Sequence, residues 1–242
     1  MGMLEICCGD LQSVRAAVEG GADRIELCSA LSEGGLTPSY GMIACAREIA
    51  KDIKLHVLIR PREGDFVYTD EDEIACMATD VAMCAELGAD GVVIGALTPE
   101  GDIDMKLCQL LIASADDLSV TFHRAFDRVA DPTAALEKLI ELGCDRVLTS
   151  GLASSALEGA QMLHSLNEQA AGRITILAGA GVNPDNGAEI LARSGVTELH
   201  GSVRERVAGT APKVRMGSAD DGSRMITSRS AVERLAKIVH QV

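Results

Sequence analysis

Leu118-Ser119-Val120-Thr121-Phe122-His123-Arg124-Ala125-Phe126-Asp127 is the stretch on which the fold reading turns. An apolar run of strand character ends in side chains able to move a proton or hold an anion. Asp131-Pro132 follows, an N-cap residue with proline at the first helical position. Reactive side chains at the exit of a strand that leads into a helix are the arrangement parallel α/β proteins use for their sites.

The same unit recurs on both sides of this stretch. Strands are predicted at Leu4–Cys7, Arg24–Leu27, Leu55–Ile59, Gly91–Gly95, Val120–His123, Arg146–Thr149, Ile174–Leu177 and Glu198–His200, each followed by a helical pattern. Thr37-Pro38 reads as the start of the second helix, Asp102 as the start of the fourth, and Ser228–Val239 as the last helix. Gly-Ala-Asp at 21–23 and 88–90, and Gly-Cys-Asp at 143–145, end three helices just before the next strand. Eight such units in 242 residues are the arithmetic of a (β/α)8 TIM barrel, expected here as one domain spanning 1–242. The rival, a doubly wound open sheet, lacks its dinucleotide fingerprint: Gly179-Ala180-Gly181 has no third glycine at the required offset and lies late in the chain. No nucleotide cofactor is therefore expected. The polar, glycine-rich segment Ala208–Thr227 fits neither helix nor strand, and reads as an irregular cover over one barrel mouth or a mobile loop.

Composition narrows the function. Hydrophobic residues make up 47% of the chain but aromatic ones only 2%, so Val, Ile, Leu, Ala and Met must fill the core, and few rings remain to stack on bases. A formal charge of −14 argues against nucleic acid or an anionic membrane as partner, so any anion site must be a local concentration of arginine. Glu5 and Asp10 interrupt the window where a signal peptide needs an apolar run, and no run reaches transmembrane length, which predicts a cytoplasmic protein. Eight cysteines without a CxxC pair or zinc spacing read mostly as reduced, buried thiols.

Alternation along the strands places the chemistry. Glu5 shares a face with Cys7, Arg24 with Glu26 and Cys28, His56 with Leu58 and Arg60, and Glu198 with His200 and Ser202. The helix-facing side of a barrel must be apolar, so these polar sets point into the lumen. Strands eight, one, two and three are neighbours about 4.8 Å apart, so His200, Glu5, Glu26 and Arg60 are expected to form one polar arc, with His123 approaching across the lumen. Arg60 and the histidines are expected to supply the counter-charges that two buried carboxylates require. Glu5, Glu26, His123, Asp127 and His200 are the candidates for proton transfer. Arg60, Arg124, the loop Thr149-Ser150-Gly151, Gly179, Gly181, Gly201 and Ser202 are the candidates for holding an anion, because glycine after the last strands lets backbone N–H groups approach it. Cys7 and Cys28 lie on neighbouring strands, on one face and near the mouth, and are the thiols best placed for Cu(I), which favours soft ligands. Cys76 and Cys84, with Met77 and Met83, fall on one helix and read as core packing.

Several of these runs resemble the copper homeostasis protein CutC family. They are Glu5-Ile6-Cys7, the run from Gly21-Ala22-Asp23 through Glu26-Leu27-Cys28 to Thr37-Pro38-Ser39, Ile59-Arg60-Pro61-Arg62, Gly64-Asp65-Phe66, Thr121–Asp127, Leu148-Thr149-Ser150-Gly151 and the turn from Gly179 to Asn183. The similarity covers nearly the whole chain. It implies a cytosolic (β/α)8 barrel, usually a homo-oligomer such as a dimer or tetramer, linked to copper tolerance, with Cu(I) on Cys7 and Cys28. Two features depart from the pattern: Leu177-Ala178-Gly179-Ala180-Gly181 stands where the family commonly has Met-Pro-Gly, and Ala208–Thr227 matches none of its motifs. Three readings stay open: Cu(I) binding, an enzyme acting on a small anionic molecule, and a non-catalytic oligomer whose polar arc is an inert plug.

Overall fold

Eight parallel strands close into a barrel in sequential order in a computed structural model that describes residues 2–214 and 221–242. They are β1 (Met3–Cys8), β2 (Arg24–Leu27), β3 (Lys54–Leu58), β4 (Gly91–Ile94), β5 (Ser119–Phe122), β6 (Arg146–Thr149), β7 (Thr175–Ala178) and β8 (Glu198–Gly201). The ring is closed by β8 pairing with β1, with Glu5 opposite His200. Between and after them run α1 (Leu11–Glu19), α2 (Tyr40–Ile49), α3 (Glu71–Glu86), α4 (Met105–Ser114), α5 (Pro132–Glu141), α6 (Ala160–Ala170), α7 (Gly187–Ser194) and α8 (Arg229–Val239). Among the described residues no helix is long and apolar enough to cross a membrane.

The helices start where capping chemistry dictates. The side chains of Asp10, Asp70, Asp104 and Asp131 each accept a backbone N–H of the first turn of α1, α3, α4 and α5. Two expected starts move. α2 is capped by Ser39, because Thr37 is held at the end of β3: its N–H donates to Arg60 O at 3.0 Å, and its hydroxyl accepts from Arg60 N at 2.9 Å. α4 begins after Asp104, because Ile103 forms a β-bridge with Leu97.

The expectation of an irregular segment from Ala208 is corrected at its end. Arg224–Thr227 is a strand, β10, paired antiparallel with β9 (Arg204–Val207) directly after the barrel closes. Thr227 N donates to Ser13 Oγ at 3.0 Å and so ties this ribbon to α1. It reads as loop because burial does not alternate along the ribbon: Arg204, Glu205, Arg206, Arg224 and Met225 are exposed, and only the end of β10, Ile226 and Thr227, is buried against the barrel. Residues 215–220 of that segment lie outside the described residues.

Two cores result. Outside the barrel, Leu4, Ile6, Ile25, Leu27, Val57 and their counterparts pack on the helices together with the buried rings of Phe122 and Phe126. Inside, the lower layer is ionic. Arg24, 1% exposed, donates Nε to Glu5 and Nη2 to Glu198 Oε2 at 2.6 Å, and Arg146 Nε lies 3.3 Å from the same Glu198 oxygen. Above it, Cys7, Cys28, Leu58 and Val93 make a small apolar cluster.

Removing one partner of a buried ion pair strands the others without water. Arg24→Met is therefore expected to lower unfolding free energy in urea by about 3–5 kcal/mol. Equal stability of Arg24→Met and the wild-type protein would show that the lumen's lower layer is hydrated and carries no such penalty.

Candidate functional site

Strand parity sets the second layer of the lumen at the C-terminal mouth. Cys7 and Glu26 are directly paired across β1 and β2, and His200 follows on the other side of β1. His200 Nδ1 lies 2.7 Å from Glu5 Oε1, and its Nε2 lies 3.8 Å from Glu26 Oε2. The chain of contacts Arg24–Glu5–His200–Glu26 therefore runs from the ionic floor to the mouth. Burial pushes the Glu5 carboxyl up, but the guanidinium of Arg24 and the bonded His200 outweigh it and hold it well below the ordinary carboxylate range. Burial raises Glu26. For His200, burial favours the neutral ring but is outweighed by Glu26, Cys7 and Glu5, so its basicity lies well above that of a free imidazole.

The expected arc therefore forms, with one substitution of roles. The counter-charge of the buried carboxylates is Arg24 together with His200, and not Arg60. Arg60 sends Nη1 to the carbonyls of Glu33 and Gly35, both at 2.8 Å, and Nη2 to Gly64 O at 3.2 Å. It is the clamp that shapes the loops after β2 and β3.

Two histidines owe their seats to glycines that the sequence reading passed over. β4 carries Gly91 at its start and Gly95 just past its end, leaving Val93 as its inward side chain. A Cβ on Gly91 would fall 2.7 Å from His56 Nε2, and one on Gly95 would fall 2.9 Å from His123 Nε2 and closer still to the rest of the ring. The imidazoles from β3 and the end of β5 thus lean over a strand that has been cleared for them. Spacing of Gly at i and i+4 within one strand was the available signal. His123 Nδ1 accepts the N–H of Ala125 at 3.1 Å, so its hydrogen is on Nε2, and burial followed by the nearby Arg60 lowers its pKa to about 3. His56 is lowered to about 4, chiefly by burial.

A cavity of about 240 Å³ opens above these groups. Cys7, Glu26, His200, His123, Arg60 and Arg124 reach it from five strands, and Gly181, Gly201 and Ser202 border it on the β7 and β8 side. The loop Thr149-Ser150-Gly151 is not brought to its wall, and neither is Asp127. Instead the Asp127 carboxylate accepts from Thr149 Oγ1, from Ser150 N at 3.0 Å, from Leu152 N at 3.3 Å and from Arg124 Nε at 2.7 Å. It fixes the β6 loop and the Arg124 side chain. Gly179 stands behind the wall, where a Cβ would meet the Leu148 side chain and the His200 ring.

The two thiols lie side by side, with Cys7 Sγ 3.5 Å from Cys28 Sγ. With metal–sulfur bonds of about 2.3 Å, as in thiolate complexes, that separation is spanned by a bent S–metal–S bridge of about 100°. Cys7, Glu26 and His200 also bring one ligand atom each within 4.8 Å of one another. Soft sulfur at the centre, with imidazole beside it, is a donor set that fits Cu(I), while the hard Glu26 carboxylate adds negative charge nearby.

The model of the CutC family matches residues 2–205. The chain belongs to the CutC family. A family protein CutC of Chromobacterium violaceum is 50% identical over 240 residues, covering 96% of this chain and 96% of that one. Another from Xylella fastidiosa is 55% identical over 205 residues, 85% of this chain and 76% of the relative. Among solved structures, a Streptococcus agalactiae protein named as a candidate copper homeostasis protein CutC superposes with a TM-score of 0.80 at 34% identity, covering 84% of this chain and 99% of that one. A thiamine phosphate pyrophosphorylase of Pyrococcus furiosus, at TM-score 0.61 and 22% identity, shares the barrel fold. The family match ends where the β9–β10 ribbon begins.

The buried histidines make a pH prediction. A histidine whose folded pKa lies below its unfolded value near 6.5 takes up its proton preferentially on unfolding. Its stabilising effect is complete above pH 6.5 and is lost as pH falls toward about 4 for His56. The groups acting on that ring are Glu5 of β1, Arg24 of β2, Arg146 of β6 and Asp90 before β4. The urea midpoint of His56→Gln, compared with wild type between pH 7 and 4.5, is expected to show a shallower acid slope. A difference between the two that is independent of pH would mean that folding leaves the proton affinity of His56 unchanged.

Proposed function

We propose that this protein binds Cu(I) in copper homeostasis, with Cys7 and Cys28 as the principal ligands and His200 or Glu26 completing the site. The observation that carries the reading is the thiol pair, 3.5 Å apart on adjacent strands, with Cys7 facing the mouth cavity. Among the described residues no Sγ–Sγ contact joins the other six thiols: Cys45 and Cys76 are exposed on helices, while Cys8, Cys84, Cys108 and Cys144 are buried in the outer core. The family resemblance and the name of the solved Streptococcus agalactiae protein support the same reading. Thiolate is a soft donor, and neighbouring acidic groups favour a cation, so the pair suits a monovalent soft ion better than a hard one. A reducing cytoplasm, which keeps such cysteines as thiols, is the compartment this chemistry requires.

Competition with a Cu(I) chelator under reducing conditions tests the proposal. Wild-type protein is expected to take up one equivalent of Cu(I), and Cys7→Ser/Cys28→Ser to lose it, with affinity reduced by at least about a hundredfold because hydroxyl oxygen is a hard, weakly coordinating donor. Cys28→Ala, which avoids a buried hydroxyl, should behave in the same direction. Retention of the full Cu(I) affinity in the double variant would leave the two residues as packing thiols.

A further inference from the structure

The cavity holds more room than an ion needs and carries a charge that the protein does not balance. Its volume of about 240 Å³ is space for about eight waters at roughly 30 Å³ each. Arg60 is 5% exposed, yet among the described residues no carboxylate lies within ion-pair distance of its guanidinium. Its Nη1 and Nη2 groups meet only three backbone carbonyls, and Nε meets nothing. In a chain of net charge −14 a buried arginine left without an acidic partner is conspicuous, and burying a cation without its counter-charge costs several kcal/mol. The other charges at the wall are matched: Arg124 by Asp127, and Glu26 by His200.

Unused donors surround the same space. His123 lines the cavity, its Nε2 carries the ring's hydrogen, and that atom is buried without a partner. On the opposite rim the loop after β7 passes through Ala180 and Gly181 with positive φ, 88° and 68°. Among the described residues the N–H groups of Ala180, Gly181, Val182 and Ser202 find no acceptor, and all four residues line the cavity. Backbone N–H groups gathered in such a turn form an anion-binding concavity, and in barrels of this kind the ends of the last two strands are where phosphate sits.

We infer that the cavity binds a small molecule bearing an oxyanion, carboxylate or phosphate, which balances Arg60 and takes hydrogen bonds from His123 Nε2 and from the amides of the loops after β7 and β8. This goes beyond Cu(I) binding and does not rest on it, since neither Cys7 nor Cys28 is among the donors. A carboxylate and a phosphate present the same acceptor oxygens, and the two are separated by the probes below.

The test uses inorganic phosphate and malonate, each against sodium chloride of equal ionic strength. Either probe is expected to raise the melting temperature of the wild-type chain by about 3 °C or more at ten times its Kd, and to shift the 15N–1H resonances of Ala180, Gly181, Val182 and Ser202. A stronger response to phosphate assigns a phosphate-bearing ligand, and a stronger response to malonate a carboxylate. His123→Phe, which keeps a ring against Phe66 but removes the donor, is expected to weaken binding about tenfold. Arg60→Gln should abolish binding, and because its clamp on the loops is also lost, the amide shifts of His123→Phe provide the reading that does not depend on its folding. The inference is overturned if neither anion exceeds sodium chloride, if the responsive amides lie elsewhere, such as around Arg204 and Arg224, or if His123→Phe binds as the wild type does.

Discussion

A guanidinium buried at the bottom of the barrel governs what the rest of the lumen can be. Arg24 is held between Glu5 and Glu198, and its charge is matched twice over. One cation facing two anions leaves the floor negative; Arg146 beside Glu198 offsets that charge, and His200 bridges Glu5 and Glu26. Arg24 and Glu5 need the others because neither reaches water. The apolar outer face of the strands can be repacked residue by residue, whereas this layer works only as a set. The cost of assembling it is tolerable because the strands fix every participant: Glu5 is opposite both Arg24 on β2 and His200 on β8 in the sheet register.

That floor controls the mouth. Glu5 divides its two oxygens between Arg24 and His200, so the imidazole is held in one orientation with Nε2 turned to Glu26 and Cys7 close by. The ionic layer thus transmits a fixed geometry to the soft donors above it. A metal bound there would meet a His200 ring whose position is already determined, since Glu5 and Arg24 hold it before any ion arrives. On the other side of the mouth the logic is reversed. Arg60 and His123 are rigidly held, by backbone carbonyls and by the Ala125 amide, yet are left with hydrogens unspent. One half of the site is internally satisfied and the other half is not.

Much of this was legible in the sequence because strand parity is a strong constraint. Once eight units were counted, the inward placement of Glu5, Cys7, Glu26, Cys28, His56 and His200 followed from period two alone. Parity says which face a side chain takes but not its level along the barrel axis, and there the reading failed. Arg60 and Arg24 both face inward, and the sequence reading gave Arg60 the buried carboxylates that Arg24 holds. Level is set by the stagger between strands, a property of closure that no single strand encodes. Asp127 was misleading for a related reason. A carboxylate just past a strand exit reads as catalytic, but the chain turns immediately into a short helical segment, Arg124–Arg128, and carries that carboxylate sideways to the amides of the β6 loop. The seats of His56 and His123 went unread because they depend on absent atoms: glycines on β4 contribute by having no Cβ.

The two halves of the mouth also bear on each other. A cation on Cys7 and an anion balanced by Arg60 would share one cavity of about 240 Å³. At an effective dielectric constant of about 20, opposite unit charges 4 Å apart attract by about 4 kcal/mol, and the attraction falls only as the inverse of distance. Occupancy of one half would therefore alter the affinity of the other, and by linkage the coupling would be reciprocal. Its sign depends on the thiol protons released, since a monovalent ion held by two thiolates leaves a net charge of −1 where two neutral thiols stood. A barrel whose floor is neutralised internally is free to place that coupling at its mouth, where ligands of both signs can enter from solvent.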